Sequence, residues 1–285
     1  MSVSPEEFPV EDALIMIRLA LSEDVRTGDV TSEFTIPEGQ RETARLIAKE
    51  AGTLAGLPVI PLVFAELKAE VKVTFYKHDG DKVEKGDLIA ELEGTTRDLL
   101  TGERTLLNFI QQLSGVATVA SKYAEALKPG KTEILDTRKT VPGFRTLQKY
   151  AVRAGGGSNH RMGLFDMVLV KDNHIAASGG VLEALENVKA HNVRNLKVEM
   201  EVENLDDLQK LLHKGVDVIM LDNMDKETMQ RAVEIVRKSG DQVKLEASGN
   251  MNLERVKDLA SVGLDYISVG ALTHSVRALD ISMRI

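Results

Sequence analysis

A small α+β segment followed by a parallel α/β sheet is the fold class this sequence predicts, on three observations. Up to about residue 105, short alternating apolar runs sit between glycine-rich turns. One long helical pattern then covers Thr95 to Leu127. Beyond it, short apolar strands alternate with amphipathic helices. Strands that are buried on both faces and separated by helices make a parallel sheet, either a closed barrel or a doubly wound open one.

The elements follow in order. Behind the acidic Ser4-Pro5-Glu6-Glu7 and Val10-Glu11-Asp12, Leu14, Ile17 and Leu21 recur at helical spacing, and the helix ends before Arg26-Thr27-Gly28-Asp29. Ala44-Arg45-Leu46-Ile47-Ala48 and Val71-Lys72-Val73-Thr74-Phe75 alternate as half-buried strands. HDGDKVEKGDLIAELEG, His78 to Gly94, has the turn pattern of biotinyl and lipoyl carrier domains, but Glu91-Leu92-Glu93-Gly94 offers no carrier lysine. Two tight turns in a sheet are the preferred reading. The long helix carries Leu106, Ile110, Leu113, Ala117 and Ala120 on one face and closes at Pro129-Gly130. Six strands are then expected: Glu133 to Thr137, Met167 to Lys171, Lys197 to Glu201, Val216 to Asp222, Val243 to Glu246 and Tyr266 to Val269. Helices such as LEALENVKAH, LDDLQKLLHKG, KETMQRAVEIVRKSG and LERVKDLASVG lie between the later strands.

Composition narrows the function. The chain has 285 residues, 43% of them hydrophobic, enough to bury a core. With 36 Lys and Arg against 44 Asp and Glu, the net charge of -8 argues against nucleic acid as a partner. The absence of cysteine excludes disulfides and thiol chemistry. There is no basic leader before an apolar run, and no segment approaches the roughly twenty apolar residues of a membrane span. A soluble, cytoplasmic protein with no membrane partner is expected.

Polar residues gather where the strands end: DTRKT, VKDN, MEVEN, LDN, EASGN and SVGAL. Barrel enzymes project their catalytic groups from those ends. Helix capping accounts for Asn173, Asn204 and Asn223, but not for Arg138, Lys139, Lys171, Glu201 and Asp222. Thr137 to Lys171 holds seven Lys or Arg, namely Arg138, Lys139, Arg145, Lys149, Arg153, Arg161 and Lys171, against the single acid Asp166. Lys149 and Arg153, four apart on a helix, read as solvated surface. Arg138, Lys139, His160, Arg161 and Lys171 read as converging on a small polyanion. Glu201 and Asp222 suit Mg²⁺, or serve as counter-ions to the cations. Ser248-Gly249-Asn250 and Gly270-Ala271 follow the last two strands, where backbone N–H groups recurrently hold phosphate.

The sequence resembles the quinolinate phosphoribosyltransferases, also called nicotinate-nucleotide pyrophosphorylases (carboxylating). The resemblance runs through GDVTS at 28–32, ERTLLNFIQQLSGVAT at 103–118, DTRKTVPGFR at 136–145, KYAVRAGGGSNHRMGLFD at 149–166, VKDNHI at 170–175, EVEN at 201–204, LDN at 221–223, LEASGN at 245–250 and SVGALTHS at 268–275. It implies an N-terminal α/β sandwich domain, residues 1–110, and an incomplete, about seven-stranded α/β barrel, residues 111–285, with the last residues able to pack back on the N-terminal domain. It also implies a homodimer or higher oligomer that makes nicotinate mononucleotide, diphosphate and CO₂ from quinolinate and phosphoribosyl diphosphate with Mg²⁺. Carried over by position, Arg138, His160, Arg161 and Lys171 would hold the quinolinate carboxylates, joined by Arg104 from the partner subunit; an ion pair with Glu103 is the plain alternative for Arg104. Lys139 and Lys171 would face phosphoribosyl diphosphate, Glu201 and Asp222 its ribose and Mg²⁺, and Ser248, Gly249, Asn250, Gly270 and His274 its 5-phosphate. Lys139, Glu201 and Asp222 are the expected catalytic residues. The competing expectations are a same-fold paralogue associated with molybdate transport, a nicotinate enzyme without decarboxylation, and a non-catalytic phosphate-ligand sensor.

Overall fold

In chain order the computed structural model, which describes residues 8–285, runs α1 (Val10–Asp24), α2 (Val30–Thr35), β1 (Arg41–Ala48), β2 (Gly52–Thr53), α3 (Val59–Glu66), β3 (Lys72–Phe75), β4 (Lys82–Val83), β5 (Leu88–Thr95) and α4 (Thr96–Ala126). It continues with β6 (Glu133–Leu135), α5 (Arg145–Ala154), β7 (Val168–Val170), α6 (Asp172–Ser178), α7 (Val181–His191), β8 (Val198–Val202) and α8 (Leu205–Leu211). Last come β9 (Val218–Asp222), α9 (Lys226–Ser239), β10 (Lys244–Ser248), α10 (Leu253–Leu259), β11 (Tyr266–Ser268), α11 (Ala271–His274) and β12 (Ile281–Arg284). Two units result: Met1–Ser121 with Thr140–Gly156 and Leu272–Ile285, and Lys122–Lys139 with Gly157–Ala271. The acidic Ser4-Pro5-Glu6-Glu7 lies outside the described residues.

The first unit is built on an antiparallel sheet in the order β12-β1-β5-β3. Ala44, Leu46 and Ala48 of β1 are buried, the period-2 face that the sequence predicts. Its other face carries exposed ion pairs, Arg45 to Glu91 at 2.9 Å and Lys72 to Glu93 at 2.7 Å, which add solubility rather than much stability. Helix α1 buries Ala13, Ile17 and Leu21, spaced four apart, with Leu14 on its flank. In the GDVTS stretch, Asp29 caps α2 by accepting from the Thr31 and Ser32 N–H groups. The carrier-like stretch forms turns around β4 and β5, with Gly80 and Gly86 at positive φ. Its Asp79 is buried and accepts from Gly56 N at 2.8 Å, Leu57 N at 3.0 Å and Tyr150 Oη at 2.6 Å. That turn is therefore a structural anchor.

The second unit holds a parallel sheet in the order β6-β11-β10-β9-β8-β7, the six strands the sequence predicts. The first strand, β6, pairs with the last, β11, so the sheet curls round on itself. On its other side β6 meets a single bridged residue, Ser158, beside Leu135. Counted along the chain the ring therefore has seven positions, and the second is reduced to one bridge. Three glycines, Gly155 to Gly157, lead into it, and glycine sustains strands poorly. Asp166 then closes the following turn by accepting from Met162 N at 2.7 Å and Gly163 N at 2.9 Å.

Candidate active site

The C-terminal ends of the parallel strands carry the predicted residues in one rim. Arg138 and Lys139 follow β6, His160 and Arg161 follow the Ser158 bridge, and Lys171 follows β7. Glu201 lies in β8 and Asp222 ends β9, level in register with Ser248 at the end of β10. Gly249 and Asn250 come next, and Gly270 follows β11. Parallel pairing puts every C-terminus on the same side, so residues far apart in sequence share one edge.

Glu201 and Lys171 form the acidic-basic pair of this rim, with Lys171 Nζ 3.6 Å from Glu201 Oε2. The lysine is half exposed and the carboxylate almost covered. Burial pushes the Glu201 carboxyl above its ordinary range; Lys171 opposes that rise and Asp222 adds to it. Two neighbouring carboxylates that repel one another are relieved by a shared cation. Oxygen donors of this kind, few in number and beside cations that can hold phosphate, fit Mg²⁺.

The loops after β9 and β10 touch. Asn223 N donates to Ser248 O at 3.1 Å, and the Asn223 amide donates to Asp222 Oδ2 at 2.6 Å. Gly249 adopts φ +93°, and a Cβ there would run into the Asn223 side chain. Asn223 and Asn250 are themselves left-handed, at φ 52° and 47°. Glycine is thus required for conformation and for space, and backbone lies bare at the rim. Of the three asparagines expected to cap helices, Asn204 does so, accepting from Asp207 N at 2.8 Å. Asn173 lies inside α6, and Asn223 shapes the loop while Asp225 caps α9.

Among the cations, Arg138 and Arg161 are half-buried and Lys139 is exposed. Burial, then repulsion from Arg138, lowers the Arg161 pKa, while Glu199 and Asp166 raise it. Arginine nevertheless stays charged, so the pair concentrates positive charge in a poorly hydrated place. Arg161 Nη1 also donates to the Met167 carbonyl at 3.3 Å, which directs the side chain. Arg145 is tied locally, donating from Nε to Thr140 Oγ1 at 3.1 Å. Lys149 departs from expectation: it is fully buried, because α5 is covered on several faces and not on one.

His160 turns inward. Its side chain is 7% exposed, with Nε2 3.1 Å from Glu199 Oε2 and 3.6 Å from Glu246 Oε1. The His160 N–H donates to Asp136 Oδ1 at 3.0 Å, and the Asn159 amide donates to Asp136 Oδ2 at 2.5 Å. Glu246 is buried beside Glu199, and the two causes together push its carboxyl up to about 8. Sequence reasoning missed Asp136, Glu199 and Glu246. The signal was present for the two glutamates: Glu199 is two residues before Glu201, and Glu246 two before Ser248, hence on the same strand faces one layer deeper.

Arg104 and His274 belong to the first unit. Arg104 is exposed on α4 and forms no ion pair with Glu103 among the described residues. His274 is exposed too, its Nδ1 2.6 Å from Ser275 Oγ.

The family model of the quinolinate phosphoribosyl transferase N-terminal domain matches residues 29–114, and that of the C-terminal domain matches residues 116–284. A Nicotiana tabacum protein named quinolinate phosphoribosyltransferase (decarboxylating) 2b, mitochondrial, is 42% identical over 304 aligned residues, covering 100% of this chain and 85% of that one. A chloroplastic nicotinate-nucleotide pyrophosphorylase (carboxylating) of Arabidopsis thaliana is 41% identical, with 100% and 86% covered. The solved nicotinate-nucleotide pyrophosphorylase of Francisella tularensis superposes with a TM-score of 0.91 at 41% identity, covering 100% of this chain and 99% of that one. With both halves matched and full-length relatives above 40% identity, the chain belongs to the quinolinate phosphoribosyltransferase family.

Proposed function

We propose that the protein transfers the phosphoribosyl group of phosphoribosyl diphosphate to quinolinate with loss of CO₂, making nicotinate mononucleotide for NAD biosynthesis. The observation that carries this reading is the rim itself, where Arg138, Lys139, Arg161 and Lys171 lie just past strand ends that also carry Glu201 and Asp222. A dicarboxylate and a triply phosphorylated sugar need that many cations, and an oxocarbenium-like transition state needs nearby carboxylates.

In the proposed reaction the pyridine nitrogen bonds to the anomeric carbon of the ribose as the bond to diphosphate breaks. The carboxylate beside the quaternised nitrogen then leaves as CO₂; its electron pair stays on the ring carbon next to N⁺ and takes up a proton. Arg138, Arg161 and Lys171 would neutralise and orient the dicarboxylate, with His160 placing that segment and Arg104 of the partner subunit completing the cradle. Lys139 and Lys171 would face the diphosphate, and Glu201 and Asp222 the ribose and Mg²⁺. When bound, Mg²⁺ supplies charge neutralisation for the departing diphosphate. Ser248, Gly249, Asn250 and Gly270 would hold the 5-phosphate. A homodimer is part of the proposal, as is a cytoplasmic location. The cysteine-free sequence, which calls for no oxidising compartment, supports the location; among the described residues no helix is long and apolar enough to cross a membrane.

Incubation with quinolinate, phosphoribosyl diphosphate and Mg²⁺ is expected to yield nicotinate mononucleotide, diphosphate and CO₂ in equal amounts. Turnover of nicotinate without CO₂, or tight binding of both ligands without turnover, would overturn the reading.

A further inference from the structure

We propose that Glu199 and Glu246 are positioning residues: from inside the barrel they hold His160, and through it the segment Asn159 to Arg161 that presents a substrate-binding arginine. The inference rests on the reading of the rim as a quinolinate site.

The geometry begins with a defect in the sheet. The second ring position is attached to β6 by one bridge, Leu135 to Ser158, and no ladder joins it to β7. A segment with so few backbone partners needs other anchors if its side chains are to keep one direction. Three acids supply them from three different places. Asp136, just past β6, takes the Asn159 amide and the His160 N–H. Glu199 of β8 and Glu246 of β10 reach His160 Nε2 from across the interior, at 3.1 and 3.6 Å.

Ring positions two, four and six thus meet in one layer, the pattern in which alternate strands fill a barrel. Apolar side chains are the usual filling. Here the layer is His, Glu and Glu, with both glutamate side chains no more than 2% exposed. Both oxygens of Glu199 and one of Glu246 find no aligned hydrogen bond. Placing such oxygens in a core is costly, and a purely structural layer would be better served by Leu or Val.

A buried cation is the competing explanation, since the three residues offer ligand atoms within 4.8 Å of one another. The histidine tautomer argues against it. Nδ1 accepts from Arg161 N at 2.7 Å, so the ring proton sits on Nε2, where a metal would need a lone pair. That same bond joins the imidazole to the backbone of Arg161. Rotating the ring therefore disturbs the residue that carries the guanidinium.

The test is kinetic and spectroscopic. Glu199→Ala is expected to raise the quinolinate KM by about 10²-fold, the scale of a cradle displaced by about 1 Å, and to leave the phosphoribosyl diphosphate KM unchanged. Glu199→Gln is expected to restore the quinolinate KM, because the amide keeps the shape of the side chain and a polar oxygen 3.1 Å from the His160 Nε2 position while its N–H can donate to Glu246. It is also expected to melt no lower than the wild type, which guards against mistaking misfolding for mispositioning. Two-bond ¹H–¹⁵N spectra should show His160 as the Nε2–H tautomer in the wild type and lose that state in Glu199→Ala, with no turnover needed. Equal rises in both KM values, a Gln variant as impaired as Ala, or a divalent cation that copurifies at one per chain and is lost with Glu199 would each overturn the positioning role. A wild-type protein that fails to turn over quinolinate yet shows the Nε2–H tautomer and its loss would instead sink the functional reading alone.

Discussion

Gly249 shows what one residue can decide at this rim. Its φ of +93° and its contact with the Asn223 side chain leave no place for a Cβ. Gly249→Ala should therefore force the loop after β10 out of line, at a cost on the order of 1–3 kcal/mol. The expected result is a lower melting temperature and a raised phosphoribosyl diphosphate KM with the quinolinate KM unchanged. Unchanged melting together with an unchanged KM would show that the loop accommodates a side chain and is no phosphate cradle. Positions of this kind were legible beforehand, because strand ends in a parallel sheet all face one way and SGN after an apolar run marks one of them. Orientation was not legible. His160 reads in sequence as one more rim residue, and only the inward turn of its ring separates it from Arg161, its neighbour. Lys149 misled for the same reason: spacing places a residue on a helix face but does not say whether that face is covered.

At the scale of elements, the polar barrel layer makes a measurable pH signature. Glu246 has a carboxyl pushed up to about 8 against an ordinary 4.5. Between those values the folded protein keeps a proton that the unfolded chain has lost, so ν_N exceeds ν_U and stability falls as pH rises. The contribution is fully present below about 4.5, declines by at most about 1.4 kcal/mol per pH unit, and is gone once pH has risen through about 8. Glu246→Gln removes the titrating group. Differential scanning calorimetry from pH 5 to 8 should accordingly show a shallower fall of melting temperature with pH in Glu246→Gln than in the wild type. Equal slopes would mean that the carboxyl titrates normally. The six strands and the helices between them were legible from periodicity, since each carries enough residues to display it. The second ring position was not, because a one-residue bridge behind three glycines has no period. Helix α6 escaped notice for a related reason: none of its seven residues is buried, so it has no apolar face to read.

At the scale of the whole molecule, an acidic chain of net charge -8 is proposed to bind two polyanions. Local concentration resolves this, since four of the seven cations between Thr137 and Lys171, namely Arg138, Lys139, Arg161 and Lys171, lie at the rim, and that stretch holds one acid while the excess of acid is spread elsewhere. One cation of the proposed site, Arg104, lies outside that stretch and in the first unit. The proposal gives it to the neighbouring subunit's site, and subunit mixing tests that arrangement. Arg104→Ala removes the cation that a subunit lends, and Lys139→Ala removes one that it keeps. Each variant alone should be impaired about 10²-fold or more, as expected on losing a charge-stabilising contact. In a C2 dimer formed from equal amounts of both, half the dimers are hybrids, and each hybrid has one site carrying both defects and one carrying neither. About a quarter of all sites are then intact, so roughly a quarter of wild-type activity should return on mixing. If each subunit used its own Arg104, every site in the mixture would carry one defect and nothing would return. Mass spectrometry of differently tagged variants establishes that exchange has occurred, so silence after proven exchange counts against the shared site.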